Sequence, residues 1–282
     1  MTPSSRVAVV TDSTSDIPPD VASERGVTVV PLAVQVGDRT YRDGDLTQEE
    51  FFALMASSPK LPTTSQPSVG EMVEAYGSAL EAADEVVALH ISSKLSGTFS
   101  VAETAAREFG GRVHVFDSLN LSWGLAFQVL EAAAAAAAGA SVDRVLAAAA
   151  SARDRVGLIV GLDSLDNLAK GGRIGAVGKF LGSLLDLKVV FTVVDGAFKP
   201  LKRVRGGAAA LDATLAWVAE QMGDRRDAAF AVLHAMSEPR ARDLAAKLGD
   251  AYRASELFVL PVGSVISTHT GTGWGIALLP AE

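Results

Sequence analysis

Residues 85–117, EVVALHISSKLSGTFSVAETAAREFGGRVHVFD, decide the fold. Glu85–Ile91 (EVVALHI) is an apolar run of strand length, and Arg112–Asp117 (RVHVFD) is another. The segment between them, Ser96–Phe109, reads as a helix. Strand, helix and strand in succession predict two parallel strands joined by a helical crossover. Working back toward the N-terminus, Arg6–Val10 (RVAVV) is a further buried strand, followed by the turn-rich TDSTSDIPPD. Pro18 and Pro19 suit the first turn of a helix and Gly26 its end. Val27–Val36 (VTVVPLAVQV) reads as one strand with Gly37-Asp38 as a hairpin turn, and helical periods follow at Thr47–Ser57 and Ser68–Ala83. The alternation predicts a parallel sheet with helices on both faces.

Beyond Asp117 the chain carries seven consecutive alanines, Ala132–Ala138, closed by Gly139. Alanine is the best helix former and glycine a favoured C-cap, so Leu125–Ala138 is predicted helical. Ser141 caps a second helix, Val142–Arg153, and this pair ends a first domain of residues 1–155. Residues 156–282 differ in texture: strand Val156–Gly161, the helical DSLDNLAKGG, and a helix over Ala176–Leu185. Two β-rich runs, Lys188–Val194 and Phe198–Arg205, flank Asp195-Gly196, the strongest short hairpin signal. Antiparallel pairing therefore enters here. Helix Ala208–Met222, strand Ala228–Leu233, helix Pro239–Ala254 and strands Leu257–Val262 and Gly275–Leu279 complete the second domain. The expected fold is α/β in two domains: an N-terminal one with a parallel sheet, and a C-terminal one with a mixed or antiparallel sheet.

Composition narrows function. Of 282 residues 49% are hydrophobic and 21% charged, enough to build a sizeable core. No window reaches the roughly 18 apolar residues of a membrane span, and MTPSSRVAVV lacks the apolar run of a signal peptide. The absence of cysteine excludes disulfides and thiol chemistry and fits a cytoplasmic address. A net charge of -8 disfavours nucleic acid and anionic membrane as partners. The four histidines, His90, His114, His234 and His269, show no metal-ligand spacing. No cofactor is expected: there is no GxxxxGK[ST] loop, no GxGxxG after the first strand and no GxSxG elbow.

Four polar, glycine-containing loops remain, each of which is also the ordinary material of turns and caps. ISSKLSGTFS (91–100) follows a strand and opens a helix; with Ser96 as N-cap, the amides of Gly97 and Thr98 would offer an anion site. PTTSQPS (62–68) gives Ser68 a capping duty and leaves Thr64 and Ser65 without one. THTGTG (268–273) lies between two strands, and its glycines let backbone approach a ligand beside His269. The other histidines read as packing residues. KGGRI (170–174) ends a helix with a cation, Arg173, which is either a plain C-cap device or a counter-charge to an anion.

Taken together, VTDSTSDIP (10–18), TSQPS (64–68), ISSKLSGTFS, DSLDNLAKGGRIG (163–175) and STHTGTG (267–273) resemble the DegV family of lipid-binding proteins, nearly end to end. The resemblance implies two α/β domains with one long-chain fatty acid held between them, the second domain lining the acyl tail. Some members carry the acyl chain for a separate ATP-binding fatty acid kinase, so this chain would not itself be the enzyme. By motif, the resemblance assigns the carboxylate to Thr64, Ser96 with Gly97, and His269, with Arg173 near them. The family's partner-docking region matches Lys202, Arg203 and Arg205, which read equally as edge-strand charges that block unwanted pairing. Two alternatives stay open: an enzyme with Ser96 as nucleophile and His269 as base, or a lipid-responsive regulator.

Overall fold

The structure is a computed structural model that describes residues 6–175 and 187–282. It has two compact units, and the chain passes between them three times. Unit 1 runs to Ala33 and resumes over Ser65–Arg155; unit 2 is Val34–Thr64 with Val156–Glu282. The chain therefore does not divide at one point after residue 155: residues 34–64, assigned by sequence to the first domain, group with the second.

Unit 1 begins with β1 (Val7–Asp12), a 3-10 turn at Ser13–Ser15, α1 (Pro19–Glu24) and β2 (Val27–Val30). The single strand expected over 27–36 breaks at Pro31-Leu32. Proline has no N–H for the ladder, and the Leu32 N–H goes instead to Ser13 Oγ at 3.0 Å. The chain then enters unit 2 through β3 (Ala33–Val36), β4 (Arg39–Arg42), α2 (Gln48–Ser57) and β5 (Thr63–Ser65), whose strands form a small sheet in the order β4-β3-β5.

Back in unit 1, α3 (Val69–Ala82) opens with a capping box. Ser68 Oγ accepts the Glu71 N–H and the Glu71 carboxylate accepts the Ser68 N–H at 2.8 Å. β6 (Glu85–His90), α4 (Thr98–Ala106), β7 (Val113–Asp117), α5 (Trp123–Ala137) and α6 (Val142–Arg155) follow. The sheet order is β2-β1-β6-β7, all parallel, with Val10 opposite both Thr28 and Ala88. Alternate residues of its strands serve two layers. Val10, Val86 and Ala88 pack with Met72 and Tyr76 of α3 and Ala102 of α4, whereas α5 packs on β1 and β6. The alanine run ends in a Schellman motif: Gly139, at φ 75°, donates to Ala136 O and Ala140 to Ala135 O.

Unit 2 continues with β8 (Gly157–Leu162), α7 (Asp166–Lys170), β9 (Leu187–Val194), β10 (Ala197–Arg205), α8 (Gly207–Met222), β11 (Asp227–Ala235), α9 (Glu238–Ala251), β12 (Arg253–Pro261), α10 (Ser264–Thr270) and β13 (Gly273–Pro280). The helix expected at 176–185 lies outside the described residues. Six strands pair in the order β10-β9-β8-β13-β11-β12; only β11 and β12 run parallel. Asp195 and Gly196, at φ 49° and 78°, make the β9–β10 turn, as a two-residue hairpin loop requires. Trp217 of α8 and Leu244 of α9 meet Phe230, Ile276 and Leu278 in the core. Among the described residues no helix is long and apolar enough to cross a membrane. The protein is α/β, with a parallel N-terminal sheet and a mixed C-terminal one.

Candidate functional site

The segment THTGTG, read from sequence as a loop, contributes its first three residues to α10. That seven-residue helix is held at its start from outside the segment. Asp43, from the excursion 34–64, accepts the Ser264 hydroxyl at 2.7 Å and the Val265 N–H at 3.3 Å, capping the helix start. Thr268 and Thr270 return their hydroxyls to the carbonyls of Ser264 and Ile266, four residues back. Both threonines thereby commit their hydroxyl protons inside the helix, whereas the His269 side chain bonds outside it.

His269 Nε2 lies 2.8 Å from Thr64 Oγ1, joining residues 205 positions apart within unit 2. The other nitrogen, Nδ1, is buried without a hydrogen-bond partner among the described residues. Burial, and after it the Arg173 charge, push the imidazole down to about 4, so it is neutral at pH 7. Gly171, just after α7, lies flat against the ring: a Cβ there would collide with His269 Nδ1 and sit 3.0 Å from Asn167 O. Asn167 in turn donates to Thr268 O at 3.1 Å, tying α7 to α10. The exposed Arg173 donates to Gly171 O at 2.8 Å. The structure thus brings Thr64, His269 and the KGGR turn together in unit 2. Sequence reading missed Asp43, Asn167 and the reason for Gly171; the DNLAKGG spacing marked a turn but not what it leans on.

Ser96 and Gly97 belong to unit 1. The N-cap expected at Ser96 falls one residue later, because α4 starts at Thr98 with Gly97 as its cap residue. Ser96 still does part of a cap's work: its Oγ accepts the Thr98 N–H at 3.2 Å and lies 2.9 Å from Thr98 Oγ1. Gly97 accommodates the Gln66 side chain, which occupies the space a Cβ would take.

Lys202, Arg203 and Arg205 are exposed on β10, the edge strand of the six-stranded sheet. The register slips between Pro200 and Lys202, which leaves Leu201 out of the pairing and 42% exposed. Proline and a bulge on an edge are the usual protections against strand addition.

Comparison with known proteins places this architecture. A DegV domain-containing protein of Streptococcus pyogenes is 38% identical over 272 residues, spanning 95% of this chain and 96% of that one. Among solved structures, a DegV family protein from Thermus thermophilus, described by its fatty acid binding, superposes with a TM-score of 0.93 at 38% identity, covering 98% of this chain and 100% of its own. DegV from Bacillus subtilis, described as a fatty acid binding protein, gives 0.90 at 30% identity over 99% and 100%. The sequence profile described as an uncharacterised protein of the DegV family matches residues 6–281, and the chain belongs to the DegV family.

Proposed function

We propose that the protein is a cytoplasmic carrier that binds one long-chain fatty acid and presents its carboxylate to an ATP-binding kinase partner, which forms the acyl phosphate. The observation that carries this reading is the Thr64–His269 pair, a half-buried neutral imidazole bonded to a hydroxyl, in a chain whose solved relatives at 38% and 30% identity are described as fatty acid binding.

With the Thr64–His269 bond kept, the pair has one proton left to give a carboxylate, Nδ1–H when the Thr64 hydroxyl donates to Nε2 or the Thr64 hydroxyl when Nε2–H donates to it, and no full charge is fixed on either residue. The residues proposed to meet the headgroup are Thr64, His269 and Arg173 in unit 2 and, in unit 1, Ser96 with the Gly97 amide. Each buried methylene of the tail contributes about 0.8 kcal/mol, so the chain dominates affinity, and the polar set offsets the desolvation of the carboxylate. The exposed basic residues Lys202, Arg203 and Arg205 form the proposed docking strip for the kinase.

Native mass spectrometry of the purified protein is expected to show an added mass equal to one fatty acid. Titration of delipidated protein with oleate is expected to saturate at one equivalent, with His269→Ala and Thr64→Val each weakening binding by about 1–3 kcal/mol. Protein that carries no lipid and ignores oleate overturns the proposal. Turnover of ATP by the chain alone, or labelling of Ser96 by a serine-directed phosphonate, would favour an enzyme instead.

A further inference from the structure

Unit 1 holds a second set of ionisable side chains apart from those assigned to the headgroup. The order β2-β1-β6-β7 reverses between β1 and β6, the point at which open parallel sheets present their loops to ligands. Asp12 ends β1 and His90 ends β6; with Tyr76 of α3, all three are fully buried. Tyr76 Oη lies 2.9 Å from His90 Nε2, and His90 Nδ1 lies 3.0 Å from Asp12 Oδ2. A carboxylate only accepts, so Nδ1–H donates to Asp12, and in the neutral imidazole Nε2 then accepts the Tyr76 hydroxyl. Burial, then the Asp12 charge, raise the Tyr76 phenol above its ordinary value and keep that proton in place.

Asp12 has further partners. Its Oδ2 also accepts the Ile91 N–H at 3.0 Å, and its Oδ1 accepts the Thr14 N–H at 3.0 Å together with the Thr14 hydroxyl. A buried polar chain of this kind contributes little stability beyond what apolar residues of equal volume would give. What it does fix is geometry. Ile91 is the last residue before the Ser92–Gly97 loop, and Asp12 holds its peptide N–H. The Ser92 carbonyl then accepts the N–H groups of Leu95 at 2.9 Å and Ser96 at 3.1 Å, while the Ser92 hydroxyl accepts that of Lys94 at 3.2 Å. The neighbouring strand end is pinned by the same peptides: Ser118 donates to His90 O and Ser92 to Asn120 O.

We infer that Asp12, His90 and Tyr76 are positioning residues that set the Ser92–Gly97 loop, and through it place Ser96 for a ligand carboxylate. The second half of that statement rests on the fatty-acid reading above; the first half does not.

The test compares Tyr76→Phe and Asp12→Asn with Val86→Ala, a core truncation on β6 that removes none of the chain's hydrogen bonds. Hydrogen exchange of delipidated protein is followed in the peptide spanning residues 91–100, alongside oleate titration and thermal unfolding. Loss of one net hydrogen bond corresponds to roughly tenfold, so Tyr76→Phe and Asp12→Asn are each expected to speed loop exchange and weaken oleate binding by about that factor. Val86→Ala is expected to lower the unfolding midpoint without either effect. If Asp12→Asn does not fold, Tyr76→Phe decides alone. A lowered midpoint with loop exchange unchanged, or faster exchange with oleate affinity unchanged, overturns the inference. Wild-type protein that ignores oleate defeats the headgroup reading, while the exchange data still decide whether the three residues set the loop.

Discussion

His269 titrates near 6.5 in an unfolded chain and near 4 in the folded one. Above about pH 6.5 both states are neutral and folding loses nothing. As pH falls from there toward 4, the unfolded chain takes up a proton that the folded site refuses, so stability falls, by up to about 3 kcal/mol. Urea unfolding at pH 7.5 and pH 5 is expected to show this loss in wild type and a smaller one in His269→Gln. Gly171→Ala tests the same spot sterically. Because its Cβ meets both the His269 ring and a backbone carbonyl, a destabilisation of about 1–3 kcal/mol is expected, with weaker oleate binding. His269 was legible as a candidate from its glycine-rich surroundings. Its neutrality was not, since that comes from burial and from Arg173, which no local pattern reveals. His90 shows the limit from the other side: nothing in EVVALHI separates a packing histidine from one bonded at both nitrogens.

At the level of elements, local chemistry and long-range chemistry divide cleanly. The Ser68 cap, the Gly139 cap and the Asp195-Gly196 turn are decided within a few residues, and each forms as the sequence predicts. The α10 helix is the counterexample. Threonines and flanking glycines argue against a helix there, and the stretch becomes one because Asp43, 221 residues earlier, caps it. Asp43→Ala is therefore expected to lower stability by about 1–2 kcal/mol and to weaken oleate binding, although Asp43 is not in the headgroup set. The β10 edge separates two readings of its charges. Replacing Lys202, Arg203 and Arg205 by glutamate is expected to leave oleate affinity unchanged and to abolish kinase-dependent acyl phosphate formation. Unchanged kinase turnover would reduce the three residues to edge protection.

For the whole molecule, the αβ alternation made the class of both units readable, but the sequence signal for a domain boundary is local and the excursion 34–64 is not. Its ties to the rest of unit 2 include Asp43 on α10, and Gln48, which donates to the carbonyls of His234 and Val262 and accepts the Met236 N–H at 2.7 Å. A fragment of residues 156–282 lacks all of these together with Thr64. By circular dichroism and urea unfolding, it is expected to be markedly less stable than the same fragment carrying residues 34–64 on a flexible linker. Ligand linkage acts on the intact chain in the opposite direction: oleate at one hundred times its dissociation constant is expected to add about 2.7 kcal/mol.

The order in which these partners are made has a consequence during synthesis. Gln48 and Asp43 leave the ribosome early, whereas the peptide groups they bind, from His234 to Val265, come roughly two hundred residues later. At about 5–20 residues per second, the arm waits on the order of 10–40 s with its hydrogen-bonding groups turned to water. Unit 1 has its whole chain by Arg155 and can settle meanwhile, so the nascent protein passes through an interval in which one half is built and the other holds only its first strands and helix. That interval is when a chaperone or protease would meet the arm.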